Sequence, residues 1–220
     1  VNERIFAGEI VMTKYERYQD YVIKDGKLVG EFNEMYLDYE DPWAQSTREE
    51  GRLEKIIGLE LLSKYGHTRA LEYGCGLGSY TQKLHTVLGC GGGVDVSNIA
   101  IEKAKAKYHK PVFYSADVLD DSVIDDFEPD CICMVEVTWY ILDKLEEFKK
   151  IISLKSKGCG FYHTLMTYAP GEQKYGIDYF SNLEEIMHYW SDSIEIFDYG
   201  QIGNISDNGG HRTFFYGKIK

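Results

Sequence analysis

Positive charge is scarce in this chain: 24 Lys and Arg stand against 36 Asp and Glu, a formal net charge of −12. A field of that sign repels a phosphate backbone and excludes tight nucleic-acid binding unless a local basic patch rescues it. None is visible, because Lys103, Lys105 and Lys107 alternate with alanine and read as one solvated helix face. Five cysteines, at 75, 90, 131, 133 and 159, form an odd set without a CxxC pair. That usage argues against a disulfide framework and a zinc site, so no metal is expected and reduced cytoplasm is the simplest compartment. Cys131 and Cys133 alternate on one strand and should enter the same buried layer as small hydrophobes. No apolar run reaches membrane-spanning length, and the N-terminus, which begins at Val1 rather than Met as though a few residues preceded it, carries no signal-peptide pattern. Internal repeats and low-complexity tracts are also missing.

What is present suits one globular domain with an appendage: 220 residues, 44% of them hydrophobic. Residues 1–46 stand apart, with Tyr15, Tyr18, Tyr21, Tyr36 and Tyr39 among acids, a turn at Asp25-Gly26 and a stop at Asp41-Pro42. They are expected to form an N-terminal helical lid or arm, and 47–220 the main domain. Over 46–65, Leu53, Ile56, Ile57, Leu61 and Leu62 recur at helical spacing, with Ser46 or Thr47 as cap and Glu49 or Glu50 completing a capping box. Strands at 69–73, 92–96, 111–115, 130–135 and 160–168 then alternate with helices at 79–88, 98–108 and 144–154. A short helix at 183–189 precedes two consecutive strands, 195–201 and 212–219. Such alternation implies parallel strands with right-handed crossovers, a Rossmann-like doubly wound α/β sheet. The loop 202–211 is too short for a helical crossover, so the sheet should carry one antiparallel strand at its end.

The first strand runs into "ALEYGCGLGSY", where Gly74, Gly76 and Gly78 follow Glu72. The dinucleotide fingerprint G-x-G-x-x-G wants its third glycine at position 79, which is Ser79. Bare glycine spacing fits a tight strand-to-helix turn equally well. Its context adds weight. A second strand ends in Asp95, where a carboxylate can accept both hydroxyls of a ribose, and a third ends in Asp117. Asp95 also suits a helix N-cap, a task Ser97 can take instead.

"LEYGCGLGSY", "GVDVS", "SADVL" and "MVEVTWYIL" together resemble the successive motifs of class I S-adenosylmethionine-dependent methyltransferases, over residues 70–142. The terminal antiparallel pair fits that family's seven-stranded sheet. The resemblance implies S-adenosyl-L-methionine as cofactor and S-adenosyl-L-homocysteine as product. It would place Glu72, Gly74, Cys75 and Gly76 beside the methionine part, Asp95 on the ribose and Val96 over the adenine. Asp117 would meet the adenine amino group with Val118 nearby, Glu136 would end the fourth strand beside sulfonium and acceptor, and Gly78 would serve helix packing.

Ligands of such sheets bind outside the carboxyl ends of the strands. Thr138, Trp139, Tyr140 and Tyr168 belong there, and the last loop should bring His211 as candidate base and Arg212 as candidate anion contact, alternatives being a turn histidine and a surface ion pair. Tyr36, Tyr39 and Trp43 of the lid can exclude water and shield a sulfonium, or simply cap the domain. His163, mid-strand, reads as a satisfied core histidine. Glu136, with Asp143 seven residues on, is too little for metal-dependent transfer.

The expected function is methyl transfer to O or N of a small polar metabolite, such as a sugar derivative or a capsule phosphoramidate precursor. Neither nucleic acid nor membrane is an expected partner, and oligomeric state is not legible. Competing readings are a protein or RNA methyltransferase, disfavoured by acidity and by "VEVTWY" in place of an Asn/Asp-Pro-Pro-Tyr motif; a nicotinamide-dependent oxidoreductase, in conflict with Ser79; and a non-catalytic cofactor-binding protein.

Overall fold

A computed structural model describes residues 2–6, 9–45, 52–169, 171–203 and 210–220. After two short hairpins, β1 (Asn2–Phe6) with β2 (Glu9–Thr13) and β3 (Ile23–Lys24) with β4 (Lys27–Leu28), comes α1 (Phe32–Asp38). The Asp25-Gly26 turn forms as expected, both residues at positive φ, +51° and +72°, which suits the tight reversal between β3 and β4. Among its described residues the arm is helical only over α1 and a 3₁₀ turn, Tyr18–Tyr21, so hairpins make up more of it than the sequence suggested.

The main body runs α2 (Leu53–Lys64), β5 (Arg69–Tyr73), α3 (Ser79–Leu88), β6 (Cys90–Asp95), α4 (Asn98–Lys107), β7 (Val112–Ser115) and α5 (Ser122–Phe127). It continues with β8 (Cys131–Val135), α6 (Leu145–Lys155), β9 (Gly160–Thr167), α7 (Leu183–Trp190), β10 (Ile194–Gly203) and β11 (His211–Ile219). Seven strands form one sheet in the order β10-β11-β9-β8-β5-β6-β7. Only β11 is antiparallel, pairing with β9 on one side and β10 on the other. It is terminal in the chain but second from the sheet edge, lying between β10 and β9. The proposed Ser46 or Thr47 cap and its Glu49 or Glu50 partner lie outside the described residues.

Both faces of the sheet are covered. On one, Leu62 of α2 and Tyr80 and Leu84 of α3 pack on Tyr162 and Tyr216, with Cys131 and Cys133 filling the same layer. On the other, Phe127, Phe148, Ile152, Ile186 and Trp190 pack on Leu71, Ile132, Phe161 and Phe215. Truncating a fully buried aromatic such as Phe161 to Ala should cost about 3–5 kcal/mol. The run Gly91-Gly92-Gly93 sits inside β6 because both faces press close: a Cβ at Gly92 would lie 2.6 Å from Phe127 and one at Gly93 2.8 Å from Cys75 Sγ.

His163 is a fully buried titratable group of this core. Its ring lies 4.9 Å from that of Phe215, and Nε2 shares a 2.8 Å hydrogen bond with Thr138 Oγ1, whereas Nδ1 has no partner. It is thus a core histidine, as expected, but only half satisfied. Burial pushes its pKa down to about 3, from 6.5. Because the unfolded chain binds this proton and the folded one does not, stability is lost as pH falls from about 6.5 toward 3. We expect His163→Phe, which keeps the aromatic stack, to flatten this acid-side loss; urea melts at pH 7 and pH 5 would show it, and an unchanged pH slope would contradict it.

Candidate functional site

β5 ends in a turn that only glycine tolerates. Gly74, Gly76 and Gly78 have φ of +71°, +53° and +76°. A Cβ at Gly74 would stand 2.4 Å from Val137 Cγ2, and one at Gly78 2.6 Å from the Phe113 ring, so these positions are sterically sealed as well. Gly78 is the N-cap of α3 and lets that helix close on Phe113 and Ala104. Beneath the turn, Glu72 is buried and its Oε2 accepts from Thr81 Oγ1 at 2.5 Å, which ties the strand to the first turn of α3. Cys75 is fully buried against the same loop, and burial, with the charges of Asp95 and Glu72, pushes its thiol well up and keeps it protonated.

Asp95 closes β6 directly opposite. Its Oδ2 accepts the Gly76 N–H at 2.8 Å and its Oδ1 the Ser97 N–H at 2.9 Å. Ser97, not Asp95, caps α4, accepting from Ala100 N. Burial raises the Asp95 pKa, against the opposing pull of those two N–H groups. Each oxygen keeps a lone pair, so the carboxylate is pre-aimed for two further donors. Val96, next along, is half exposed. The third acid, Asp117, receives Lys144 Nζ on Oδ2 at 2.5 Å and Leu119 N on Oδ1 at 3.0 Å. Burial is the largest influence there and opposes ionisation, but the Lys144 hydrogen bond, the Leu119 N–H and the Lys144 charge together outweigh it, and the pKa is lowered. Val118 turns into the core beside it.

The lid lies over this edge. Tyr36 OH reaches to 2.6 Å from where a Gly76 Cβ would be, and Lys103 Nζ holds the Tyr36 carbonyl at 2.5 Å. Trp43 packs on Tyr140 with ring centroids 5.7 Å apart. Tyr39 points elsewhere: its hydroxyl donates to the Glu16 carbonyl at 2.7 Å and fastens the lid to the N-terminal arm. Gln45, absent from the sequence reading, accepts the Leu77 N–H at 2.8 Å.

On the acceptor side, Glu136 follows β8 at φ +60°, a left-handed backbone that costs a non-glycine residue about 1–2 kcal/mol. Its Oε2 accepts Met166 N at 3.0 Å, and its Oε1 accepts Thr164 Oγ1 at 3.4 Å and lies 3.3 Å from Arg52 Nη2. Arg52 also pairs with the buried Glu54, and Arg212 Nη1 reaches the same Glu54 Oε1 at 3.7 Å. Sequence reasoning missed Arg52 and Glu54, at the start of a helix in which the apolar Leu53 and Ile56 are exposed while Glu54 and Lys55 are buried, the reverse of what residue type suggests. Arg212 therefore leans on an acid rather than standing as a lone anion contact. His211 adjoins it on β11, but successive strand residues leave opposite faces. Arg212 joins Glu54 on the α2 face, while His211 lies over Gly203, so His211 and Glu136 are not brought together. Trp139 donates Nε1–H to the Met166 carbonyl at 2.9 Å and packs against Tyr168 below the Glu136 turn. Among the described residues no three His, Cys, Asp or Glu side chains converge on a metal position, and no helix is long and apolar enough to cross a membrane.

Strand order and glycine turn are those of the class of S-adenosylmethionine-dependent methyltransferases. A profile described as Nodulation protein S (NodS) matches residues 28–156, and the chain belongs to the NodS family. No curated protein matches the sequence itself. Among solved structures, N-methyltransferase NodS from Bradyrhizobium japonicum WM9 in complex with S-adenosyl-L-homocysteine superposes with a TM-score of 0.63 at 18% identity, covering 83% of this chain and 94% of that one. Magnesium protoporphyrin IX methyltransferase from Synechocystis PCC 6803 with bound S-adenosylmethionine gives 0.54 at 15% identity, covering 92% and 90%. A methyltransferase from Aquifex aeolicus gives 0.57 at 15%, covering 80% and 98%.

The residues fit that cofactor: a glycine turn whose Leu77 N–H and Cys75 C=O face the lid, and a buried carboxylate, Asp95, with lone pairs left to accept from a diol. Asp95→Asn should weaken S-adenosylhomocysteine binding about 10- to 100-fold, the loss of charge-assisted hydrogen bonds, with the fold intact by circular dichroism. Equal affinity by titration calorimetry would contradict the ribose assignment.

Proposed function

We propose that this chain transfers a methyl group from S-adenosylmethionine to the nitrogen of a small polar amine, such as an amino-sugar derivative. The observation that carries the reading is Glu136, a carboxylate fixed at the strand end by Met166 N–H, Thr164 Oγ1 and Arg52. A fixed acceptor of hydrogen bonds suits an N–H donor, whose lone pair then points away from Glu136 and toward the methyl group. The match to NodS and its N-methyltransferase structure supports nitrogen as the acceptor atom.

The bound cofactor supplies an already activated methyl group, so the protein's task is binding, orientation and electrostatics. Asp95 holds the ribose diol and the glycine turn admits the amino-acid end. Glu136 orients the amine, and Glu54 with Arg52 and Arg212 keeps that carboxylate in place. Tyr36, Trp43 and Tyr140 exclude water above the reacting atoms, and Tyr140 is buried deeply enough that its phenol stays neutral. Alignment of two bound reactants can remove about 7–11 kcal/mol of barrier. A neutral amine needs no base during transfer, whereas an alcohol would benefit from one. His211 faces away from Glu136 and His163 is buried, which favours nitrogen over oxygen. The shared charge of Arg212 and Glu54 gives a phosphoramidate less support than an amine.

A radiolabelled methyl-transfer assay comparing glucosamine with N-acetylglucosamine tests the reading. We expect transfer to the free amine only. Glu136→Gln should lower kcat/KM for that amine about 10- to 100-fold while leaving S-adenosylhomocysteine affinity unchanged. Methylation of the acetylated sugar, or full activity of the glutamine variant, would overturn the amine assignment.

A further inference from the structure

Two backbone groups of the glycine turn face the lid: the N–H of Leu77 and the C=O of Cys75. Both are engaged by one side chain. Gln45 Oε1 accepts the Leu77 N–H at 2.8 Å, and Gln45 Nε2 donates to the Cys75 carbonyl at 3.4 Å. The Cys75 carbonyl also receives Gly78 N at 2.9 Å, so Gln45 uses its second lone pair. The Gln45 backbone is itself pinned, its N–H donating to Asp41 Oδ1 at 2.7 Å. A Cβ at Gly76 would fall 2.6 Å from Gln45 Oε1 and 2.9 Å from its Nε2, so the carboxamide lies flat on the turn in space that only glycine leaves open.

A carboxamide offers one oxygen that accepts and one nitrogen that donates. An α-amino-acid group offers the same pair, as a carboxylate and an ammonium. The cofactor of this family ends in such a group, and the Leu77 N–H and Cys75 C=O are the complementary pair on the turn. We infer that Gln45 occupies, in the ligand-free chain, the subsite of the cofactor's amino-acid end, and that the cofactor binds by displacing it. The inference rests on the cofactor assignment but goes beyond it, since it makes the lid an internal competitor rather than a cover alone.

The arrangement has a physical rationale. A buried N–H without a partner is costly, so a lid closed over an empty turn needs a substitute for the ligand. Gln45 provides it without a covalent or conformational commitment elsewhere, because Asp41 and the Lys103 anchor on Tyr36 hold the rest of the lid in place. After transfer, the product carries the same amino-acid end, and return of Gln45 would assist its release. Competition of this kind lowers apparent affinity by the fraction of chains in which the subsite is already filled.

The test compares the wild-type chain with Gln45→Ala and Gln45→Asn by titration calorimetry, using S-adenosylhomocysteine and 5′-methylthioadenosine. The second ligand keeps the nucleoside and lacks the amino-acid end. We expect Gln45→Ala to tighten S-adenosylhomocysteine about three- to tenfold, the effect of one net neutral hydrogen bond, and to leave methylthioadenosine unchanged. Gln45→Asn, one methylene too short to span both groups, should shift the first ligand in the same direction by less. Weaker binding in Gln45→Ala would make Gln45 a cofactor ligand and overturn the inference. Unchanged affinity, or equal tightening of both ligands, would also overturn it. If the wild-type chain binds no S-adenosylhomocysteine at all, the cofactor assignment fails instead, so the two failures are distinct.

Discussion

The turn after β5 is the constraint on which the site depends. Three glycines at positive φ carry the chain from strand to helix, and their missing Cβ atoms admit Val137, Gln45 with Tyr36, and Phe113 to contact distance. Each neighbour belongs to a different part of the site: the acceptor-side loop, the lid, and β7, the strand that leads to Asp117. The Gly76 N–H then aims the Asp95 carboxylate. An L-residue at any of the three would both strain the backbone and push one of these neighbours away.

Charge at the carboxyl edge of the sheet is distributed unevenly, and the unevenness separates binding from support. Asp117 is paired with Lys144, and Glu136, Arg52, Glu54 and Arg212 balance one another. Asp95 is held by backbone N–H groups, and among the described residues no cation lies against it. Its pKa is raised by burial, whereas that of Asp117 is lowered. The acid left without a counter-charge is the one best placed to gain from a ligand's donors. Far from this edge, His67 links Asp130 and Tyr216 across the amino ends of the strands, 3.3 Å and 2.8 Å away; burial lowers its pKa, so it acts as a neutral brace.

The sheet was legible because its signals are local: apolar strands, helical spacing, and the short loop that makes β11 antiparallel. The strand-end acids were legible for the same reason, since Glu72, Asp95, Asp117 and Glu136 each end or nearly end a strand. Three features were not. The place of β11 between β9 and β10 depends on which side of β9 is open, a property of the assembled sheet. Arg52 meets Glu136 across more than eighty residues of chain, and nothing in the surroundings of Glu54, its other partner, marks that acid as buried. Gln45 sits beside the sequence "DPW", where the aromatic residue drew attention and a single amide did not. The lid tyrosines divided in a way composition could not show, Tyr36 turning to the glycine turn and Tyr39 to the Glu16 carbonyl.

The proposed cofactor site, this glycine turn with Asp95, takes S-adenosylmethionine rather than another adenine nucleotide. Parallel calorimetric titrations of the wild-type chain with S-adenosylhomocysteine, NAD and NADP test it most directly. Micromolar binding of S-adenosylhomocysteine alone is expected. Binding of a nicotinamide nucleotide with no response to S-adenosylhomocysteine would contradict it.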